Sequence, residues 1–472
     1  KLVAEEVYEP EACLLGPLVV PLCQDDAGCL ASLHSEGRVL VDPATARLEK
    51  LRPMFPGAVP QGFVITAAGC QHYFQSGDLQ SEINRCIQAA GGLAPNHLAR
   101  LSKKLGALVE ATPLPEDLAH EILEQVQRLR DMSGNKPMQL LLRGRVWPPA
   151  AGEGEGCGVV LWGPPVPLNA PDEDILRAVR ATLASKQRAQ ALVYRRARGL
   201  AEGGAGVCLT CMAVEAGCVG GIAQSSAPLS PHSENVHVYG CAGLPQEVEY
   251  STMPVDAISV SRAAPHTVTN RRPYKPKRPV LDDATAIRAA ELALAVEEAA
   301  GRPEVLTWVC NPDGQVFMLM ARPMSLPEDS TPDQPQPTAA LDKDLLLEGG
   351  FTVNPGRVSG PAWVARRWED ARRFPTGGIL VVPDDNYIWG SLIDRAAGIV
   401  AERGFQGSRL ASLAREFGKP AVFGLKWSTE VVESGQRITL CADLRTVYEK
   451  FTGKTLAKLE FEDVPDTVLN SL

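Results

Sequence analysis

Three stretches of the sequence combine residue types and spacings that could do chemistry, and the first is a cysteine cluster. Cys208 and Cys211 have the Cys-x-x-Cys spacing of a metal site and Cys218 follows, but a second pair to complete the ligand set is missing. The flanking residues in VCLTCMAVEAGC are apolar and prone to β structure. This context favours a core strand over a metal site.

The other two stretches could bind anions. The loop AAGEGEGCG at 150–158 has the glycines of a phosphate-binding turn, but Glu153 and Glu155 would repel a triphosphate, so a flexible turn is the favoured interpretation. The basic, proline-rich run RRPYKPKRP at 271–279 is expected to be extended and exposed. A solvated loop is favoured there over an anion site.

Composition limits the classes of function. The chain has 472 residues, 45% of them hydrophobic and 22% charged, which predicts a folded protein of two to four domains. Lys+Arg 47 against Asp+Glu 56 gives a net charge of −9, which argues against nucleic acid or an anionic membrane as the main partner. The sequence contains no run of about 18 apolar residues, the length that a membrane span needs. The expected location is cytoplasmic.

The elements that must position these residues predict an α/β (α+β) protein. Five segments are expected: a β-rich N-terminal extension at 1–55, a large domain at 56–325, a proline-rich linker at 326–344, a smaller α/β domain at 345–450 and a tail at 451–472. Hydrophobic spacing predicts helices, notably at 79–90, 96–131 with a break at its prolines, 172–202, 283–300, 386–397 and 407–417.

Five stretches in order resemble the family of phosphoenolpyruvate synthase and pyruvate phosphate dikinase. They are VPQGFVIT (59–66), LLLRG (140–144), VEEAAGRPEVLTWVCNPDGQVFMLMARPMS (296–325), NPGRVSGPAWVA (354–365) and GIVAERGFQGSRLASLAREFGKPAVFG (398–424). The resemblance implies an ATP-grasp domain that holds ATP and magnesium, followed by a swivelling domain whose histidine carries a phosphoryl group. The family's C-terminal barrel, which binds pyruvate and phosphoenolpyruvate, has no counterpart in this sequence.

The residue that carries phosphate in the family is replaced. The family pattern Gly-Gly-x-x-Ser-His-x-Ala aligns with residues 404–411, so Arg409 stands at the histidine position. A guanidinium stays protonated and cannot act as the nucleophile. All seven histidines lie between His34 and His266, outside the second domain, and His232 and His237 are interpreted as surface or core histidines.

The family's metal ligands are also replaced. Its Asp and Glu in Pro-Gln-Asp-Ile-Glu-Trp become Val305 and Thr307, and its Gln in Leu-Gln-Ala-Arg-Pro becomes Met320. These side chains offer magnesium at most a neutral hydroxyl, so magnesium binding is not expected. Two cations that the resemblance assigns to nucleotide phosphates, Arg143 and Arg322, remain. Each of them could instead close a buried ion pair.

The sequence therefore predicts a catalytically degenerate relative that requires no cofactor, binds ATP weakly if at all, and acts by binding a protein partner, either an active homologue or a larger assembly. One alternative is an ATP-dependent phosphotransferase that uses shifted residues or a histidine from another chain. A second is a nucleotide sensor that binds through Arg143 and Arg322. Arg409 itself is expected either to face a carboxylate of the first domain or of a partner, or to be a solvent-exposed arginine with no role.

Overall fold

The structure is a computed structural model that describes residues 16–22, 40–89, 97–134, 136–147, 159–198, 206–229, 233–273, 279–324 and 345–449. The chain divides into two compact units, Lys1–Met324 and Ser325–Leu472. The predicted linker at 326–344, the loop at 150–158 and the tail at 451–472 lie outside the described residues, as do His232 and the centre of the basic run at 271–279.

Unit 1 contains two antiparallel sheets. The strands of the first sheet are β1 (Val19–Leu22), β2 (Gly62–Ile65), β3 (Met138–Trp147), β4 (Val159–Trp162), β5 (Val166–Pro167) and β6 (Gly206–Glu215). Their order is β1-β2-β6-β3-β4, and β5 also pairs with β3. Cys208 and Cys211 lie in β6 with buried side chains, which confirms the predicted core strand.

Helices cover the outer face of the first sheet. They are α2 (Ala67–Gln75), α3 (Leu79–Ala89), α4 (Leu98–Ala111), α5 (Glu116–Ser133), α6 (Asp172–Ala184) and α7 (Ala189–Ala197). Helices α2 and α6 pack on β6 and β3, and α4 packs on α6. The break that the prolines predicted within 96–131 separates α4 from α5. The single helix predicted at 172–202 is wrong, because a 3-10 turn at Ser185–Gln187 divides it into α6 and α7.

The second sheet of unit 1 has the order β10-β9-β8-β7-β11-β12. Its strands are β7 (Val219–Gln224), β8 (Asn235–Ala242), β9 (Asp256–Ser261), β10 (Val268–Arg272), β11 (Glu304–Cys310) and β12 (Val316–Pro323). Helix α9 (Asp283–Ala300) lies across β7, β8 and β11, and its buried alanines allow close packing; the short helix α8 (Pro245–Glu249) packs on β7 and β8.

Helix α1 (Pro43–Leu51) joins the two sheets, although it lies in the segment expected to be β-rich. It packs against β12, and its Leu48 belongs to a buried core that includes Trp162 of the first sheet and Trp308 of the second. A continuous hydrophobic core therefore runs through both sheets, and any polar side chain between them has to be hydrogen-bonded.

Unit 2 is built on a sheet with the order β13-β20-β19-β15-β16-β17-β18-β14. Its strands are β13 (Leu345–Glu348), β14 (Phe351–Asn354), β15 (Arg357–Val364), β16 (Ile379–Val382), β17 (Gly398–Ala401), β18 (Ala421–Phe423), β19 (Arg437–Cys441) and β20 (Thr446–Glu449). Strands β15 to β18 are parallel, as in an α/β domain.

The described part of unit 2 also contains two α-helices, α10 (Arg409–Glu416) and α11 (Ser428–Val431). The helix predicted at 407–417 is confirmed by α10. The one predicted at 386–397 is a 3-10 helix at Tyr387–Leu392. Together the two units have the mixed helix and strand content of the predicted α/β (α+β) class.

Candidate functional site

Arg143 lies between the two sheets of unit 1 and is hydrogen-bonded to both. Its side chain has 0% exposed area. Nη2 donates to the hydroxyls of Thr45 in α1 at 2.7 Å and of Thr210 in β6 at 3.0 Å, and Nη1 donates to the carbonyl of Leu319 in β12 at 3.1 Å. Thr210 is the register partner of Arg143 in the neighbouring strand, which places both side chains on the same face.

Asp42 is the second polar group at this place, and sequence reasoning missed it. It caps α1: its Oδ1 accepts hydrogen bonds from the backbone amides of Ala44 at 2.9 Å and of Thr45 at 3.2 Å. Its Oδ2 accepts from the Thr45 hydroxyl and from the Cys208 thiol at 3.2 Å. The signal was present, because an aspartate followed by a proline at the first helical position is a typical helix start.

Two arginines face the Asp42 carboxylate. Arg143 Nη2 lies 3.7 Å and Arg145 Nη1 lies 3.9 Å from its oxygens. The side chain of Arg143 is 0% exposed, that of Arg145 is 6% exposed and that of Asp42 is 1% exposed. Burial acts to raise the pKa of Asp42, but the two guanidinium groups and the hydrogen bonds more than offset it, so the pKa is lowered. Asp42 is therefore ionised at neutral pH, and Arg143 does close a buried ion pair.

Arg322 lies near a second buried carboxylate. It is the register partner of Val305, at the end of β12. Glu304, the neighbour of Val305, has no exposed side-chain area and accepts a hydrogen bond from Arg47 at 2.5 Å, with Arg302 at 3.5 Å. Burial raises the pKa of Glu304, although Arg47, Arg302 and Arg322 oppose that shift. Both arginines named from the sequence thus belong to clusters in which arginines outnumber carboxylates.

The positions that the resemblance assigns to metal ligands come together in the structure. Thr307 and Met320 are register partners in β11 and β12. The Thr307 hydroxyl donates to Glu249 Oε1 at 3.1 Å, and the Trp162 indole donates to Glu249 Oε2 at 2.7 Å. Met320 is fully buried, and Val305 is 2% exposed.

These residues do not fit a magnesium ion. The valine and methionine side chains have no oxygen, and both carboxylate oxygens of Glu249 already accept hydrogen bonds from protein donors. The described residues contain no group of three or more His, Cys, Asp or Glu side chains that could hold a metal ion. Glu249 was missed by sequence reasoning because α8 has only five residues, too few to give a periodic pattern.

Arg409 is the first residue of α10, and Ser408 caps that helix by accepting a hydrogen bond from the Ala411 amide at 3.2 Å. Arg409 Nη1 donates to Glu416 Oε1 at 3.0 Å, and both side chains are 7% exposed. Arg409 therefore faces a carboxylate and is not solvent-exposed. This acid belongs to the same helix, two turns further on, a partner that the sequence did not predict.

His237, which the sequence predicts to be a surface or core histidine, lies in β8. Its Nδ1 lies 3.2 Å from the Ser259 hydroxyl, and burial lowers its pKa. These contacts are those of a histidine held within the sheet. Separately, none of the helices in the described parts of the chain has the length and apolar character needed to cross a membrane.

Comparisons with known proteins extend these observations. A family model described as "Pyruvate phosphate dikinase, AMP/ATP-binding domain" matches residues 46–153 and 166–342. A second, described as "PEP-utilising enzyme, mobile domain", matches residues 374–444. Among solved structures, aconitase X of Thermococcus kodakaraensis covers 22% of the chain at 20% identity with a TM-score of 0.19, a likeness too low to bear on the fold.

Three curated proteins to which the chain is similar are named phosphoenolpyruvate synthase, one of them as probable. A probable phosphoenolpyruvate synthase of Methanothermobacter thermautotrophicus is 24% identical over 413 residues, which cover 83% of this chain and 59% of that protein. The phosphoenolpyruvate synthase of Helicobacter pylori is 21% identical over 467 residues, covering 87% of this chain and 56% of that protein. The phosphoenolpyruvate synthase of Neisseria meningitidis is 30% identical over 202 residues, which cover 41% of this chain and 24% of that protein. The chain thus spans little more than half the length of the first two relatives.

The first family model covers more than half of the chain, and the second covers most of the described part of unit 2. The order of the two matches is the order of the two units. This chain belongs to the pyruvate phosphate dikinase and phosphoenolpyruvate synthase family.

Proposed function

We propose that this protein is a phosphoenolpyruvate synthase-like chain that does not transfer phosphate and that acts by binding a protein partner. The partner would be an active homologue or a larger assembly of which this chain is a subunit. The observation that carries the proposal is the buried Arg409–Glu416 pair, in which the side chain at the phosphate-carrying position is positively charged and held along its own helix.

The metal positions support the same proposal independently. Phosphoryl transfer relies on magnesium and cationic side chains to neutralise the developing charge. In this chain the register partners Thr307 and Met320 provide no carboxylate, and Glu249 is engaged with Trp162 and Thr307. On this proposal two stations of the relay lack the chemistry that they need, while the apolar side chains around them are buried.

The kind of partner follows from the fold and from the charge of the chain. A chain that keeps the fold of two family units without the relay chemistry is suited to occupy the place of such units in an assembly. Its net charge of −9 makes a protein a better partner than a nucleic acid.

Labelling with radioactive ATP tests the catalytic half of the proposal. The chain is incubated with magnesium and either β- or γ-labelled ATP, and the protein is analysed on gels after acid and after alkaline treatment. We expect no label that survives alkali and is lost in acid, the behaviour of a phosphohistidine. An intact phosphoenolpyruvate synthase serves as the positive control.

The variant Arg409→His is the matched control within this chain. It restores an imidazole at the relay position but not the metal ligands, so we expect it to remain unlabelled too. Acid-labile label on the wild-type chain would contradict the proposal and favour the alternative of a phosphotransferase with shifted residues. Label on Arg409→His alone would show that the nucleotide site still works and that only the histidine was lost.

A further inference from the structure

The N-terminus of α1 and two buried arginines form an anion-binding arrangement in the interior of unit 1. The amides of Ala44 and Thr45 point to the same place, as at any helix start. Arg143 and Arg145, which are two residues apart on β3 and so share a face, bring two positive charges there. Amide donors with guanidinium groups are the groups that proteins use to bind phosphate.

The anion at this place is part of the chain. The Asp42 carboxylate takes both amide hydrogen bonds and lies 3.7 Å from Arg143 and 3.9 Å from Arg145. Its other oxygen accepts from the hydroxyl of Thr45 and the thiol of Cys208. We propose that Asp42 is an internal substitute for a phosphate, which fills this site permanently and keeps phosphate groups of free ligands out of it.

The site offers more positive charge and more hydrogen-bond donors than one carboxylate can match. Two guanidinium groups face one carboxylate, whose two oxygens are both already hydrogen-bonded. The Nε of Arg143 is buried and has no hydrogen-bond partner in the described structure. A phosphate has more oxygens and more charge than a carboxylate, so it matches the arrangement once Asp42 no longer occupies it. This inference goes beyond the proposed function and does not depend on Arg409.

The test removes the carboxylate and supplies inorganic phosphate. In Asp42→Ala the occupant is gone, and in Asp42→Asn the amide keeps a cap on α1 but carries no charge. Thermal unfolding is followed at increasing phosphate, with sodium chloride added to hold the ionic strength constant. We expect both variants to melt below the wild type and to gain ~4 °C or more as phosphate rises to tens of millimolar, because a ligand that binds only the folded state raises its midpoint.

The variant Asp282→Ala is the matched control. Asp282 caps α9 by accepting a hydrogen bond from the Thr285 amide at 2.6 Å, so its loss also removes a helix cap, but it is not one of the carboxylates that face Arg143 and Arg145. We expect it to melt lower and to show no specific response to phosphate. The wild type should show no specific response either, since its site is filled.

Three results would overturn the inference. The first is a phosphate response of the Asp42 variants no larger than that of Asp282→Ala. The second is a wild-type response equal to that of Asp42→Asn. If Asp42→Ala does not fold, its refolding yield with and without phosphate replaces the melting curve, and a yield that phosphate does not raise is the third. None of these measurements involves labelling, so they fail or succeed independently of the phosphoenzyme test.

Discussion

Arg409 and Glu416 stand at the two ends of α10, where the helix dipole disfavours each of them. A positive charge is unfavourable at the N-terminus of a helix, and a negative charge is unfavourable at its C-terminus. Their mutual contact at 3.0 Å compensates for both placements. The sequence shows the arginine and its unfavourable position, but it does not show that its partner lies in the same helix, because that requires two long side chains to turn toward each other against a buried surface.

Arg409→Ala should destabilise unit 2 by about 3 kcal/mol, because it leaves the Glu416 carboxylate buried without this partner. Chemical unfolding followed by circular dichroism measures the change. The double variant Arg409→Met/Glu416→Leu removes both charges and should recover most of the loss.

Arg403→Ala provides the surface control for that experiment. Arg403 is 68% exposed and lies 3.9 Å from Asp384, so its loss should cost less than about 0.5 kcal/mol. Equal effects of Arg409→Ala and Arg403→Ala would show that the Arg409 pair contributes no more than a solvated one.

At the scale of elements, Glu249 at the end of α8 ties the two sheets of unit 1 together. Its carboxylate accepts from Trp162 in β4 of the first sheet and from Thr307 in β11 of the second. Thr307, which the resemblance places at a metal-ligand position, is here part of a hydrogen-bonded link between elements. The short helix α8 thereby connects the two sheets through hydrogen bonds.

Glu249→Ala should lower the free energy of unfolding by about 2 to 3 kcal/mol, since it leaves the buried indole N–H and the buried hydroxyl without this acceptor. Glu249→Gln should cost less than about 1 kcal/mol, because its amide oxygen can accept from Trp162 while its nitrogen donates to Thr307. Urea unfolding midpoints compare the two variants. If both variants lose equally, the negative charge matters and the hydrogen bonds do not.

Local sequence patterns predict much of the fold. The turn Asn311-Pro312-Asp313-Gly314 predicts the hairpin of β11 and β12, whose register then places Thr307 beside Met320. The division between α6 and α7 could not be predicted, because no proline or glycine marks it. The 3-10 turn there contacts distant parts of the chain, including α4 and the ring of Phe74, over which Lys186 lies. The role of Asp42 depends on arginines from a strand about a hundred residues away, which no local pattern reveals.

At the scale of the whole molecule, the chain contains two family units and spans little more than half the length of the two longest-matched relatives described above. Each unit has its own buried hydrophobic core. The framework of both units is therefore that of a folded member of the family.

Nucleotide binding by the whole chain should be independent of magnesium. With Thr307 and Met320 at the ligand positions, ATP should shift the unfolding midpoint weakly or not at all, and equally with magnesium chloride or with a chelator present. Thermal shift titrations measure both conditions. A shift that requires magnesium would mean that oxygen ligands from other positions hold the metal.

The bond between the Trp162 indole and Glu249 also gives the protein an internal spectroscopic reporter. Of its seven tryptophans, three lie in unit 1, and two of these differ sharply: the Trp162 N–H donates to a carboxylate at 2.7 Å, while the buried Trp308 N–H has no acceptor in the described structure. In a nitrogen-15 spectrum, a strongly hydrogen-bonded indole proton resonates downfield of an unbonded one. The chemical shift of one side-chain proton therefore reports whether the two sheets are still joined, without any added label on the surface.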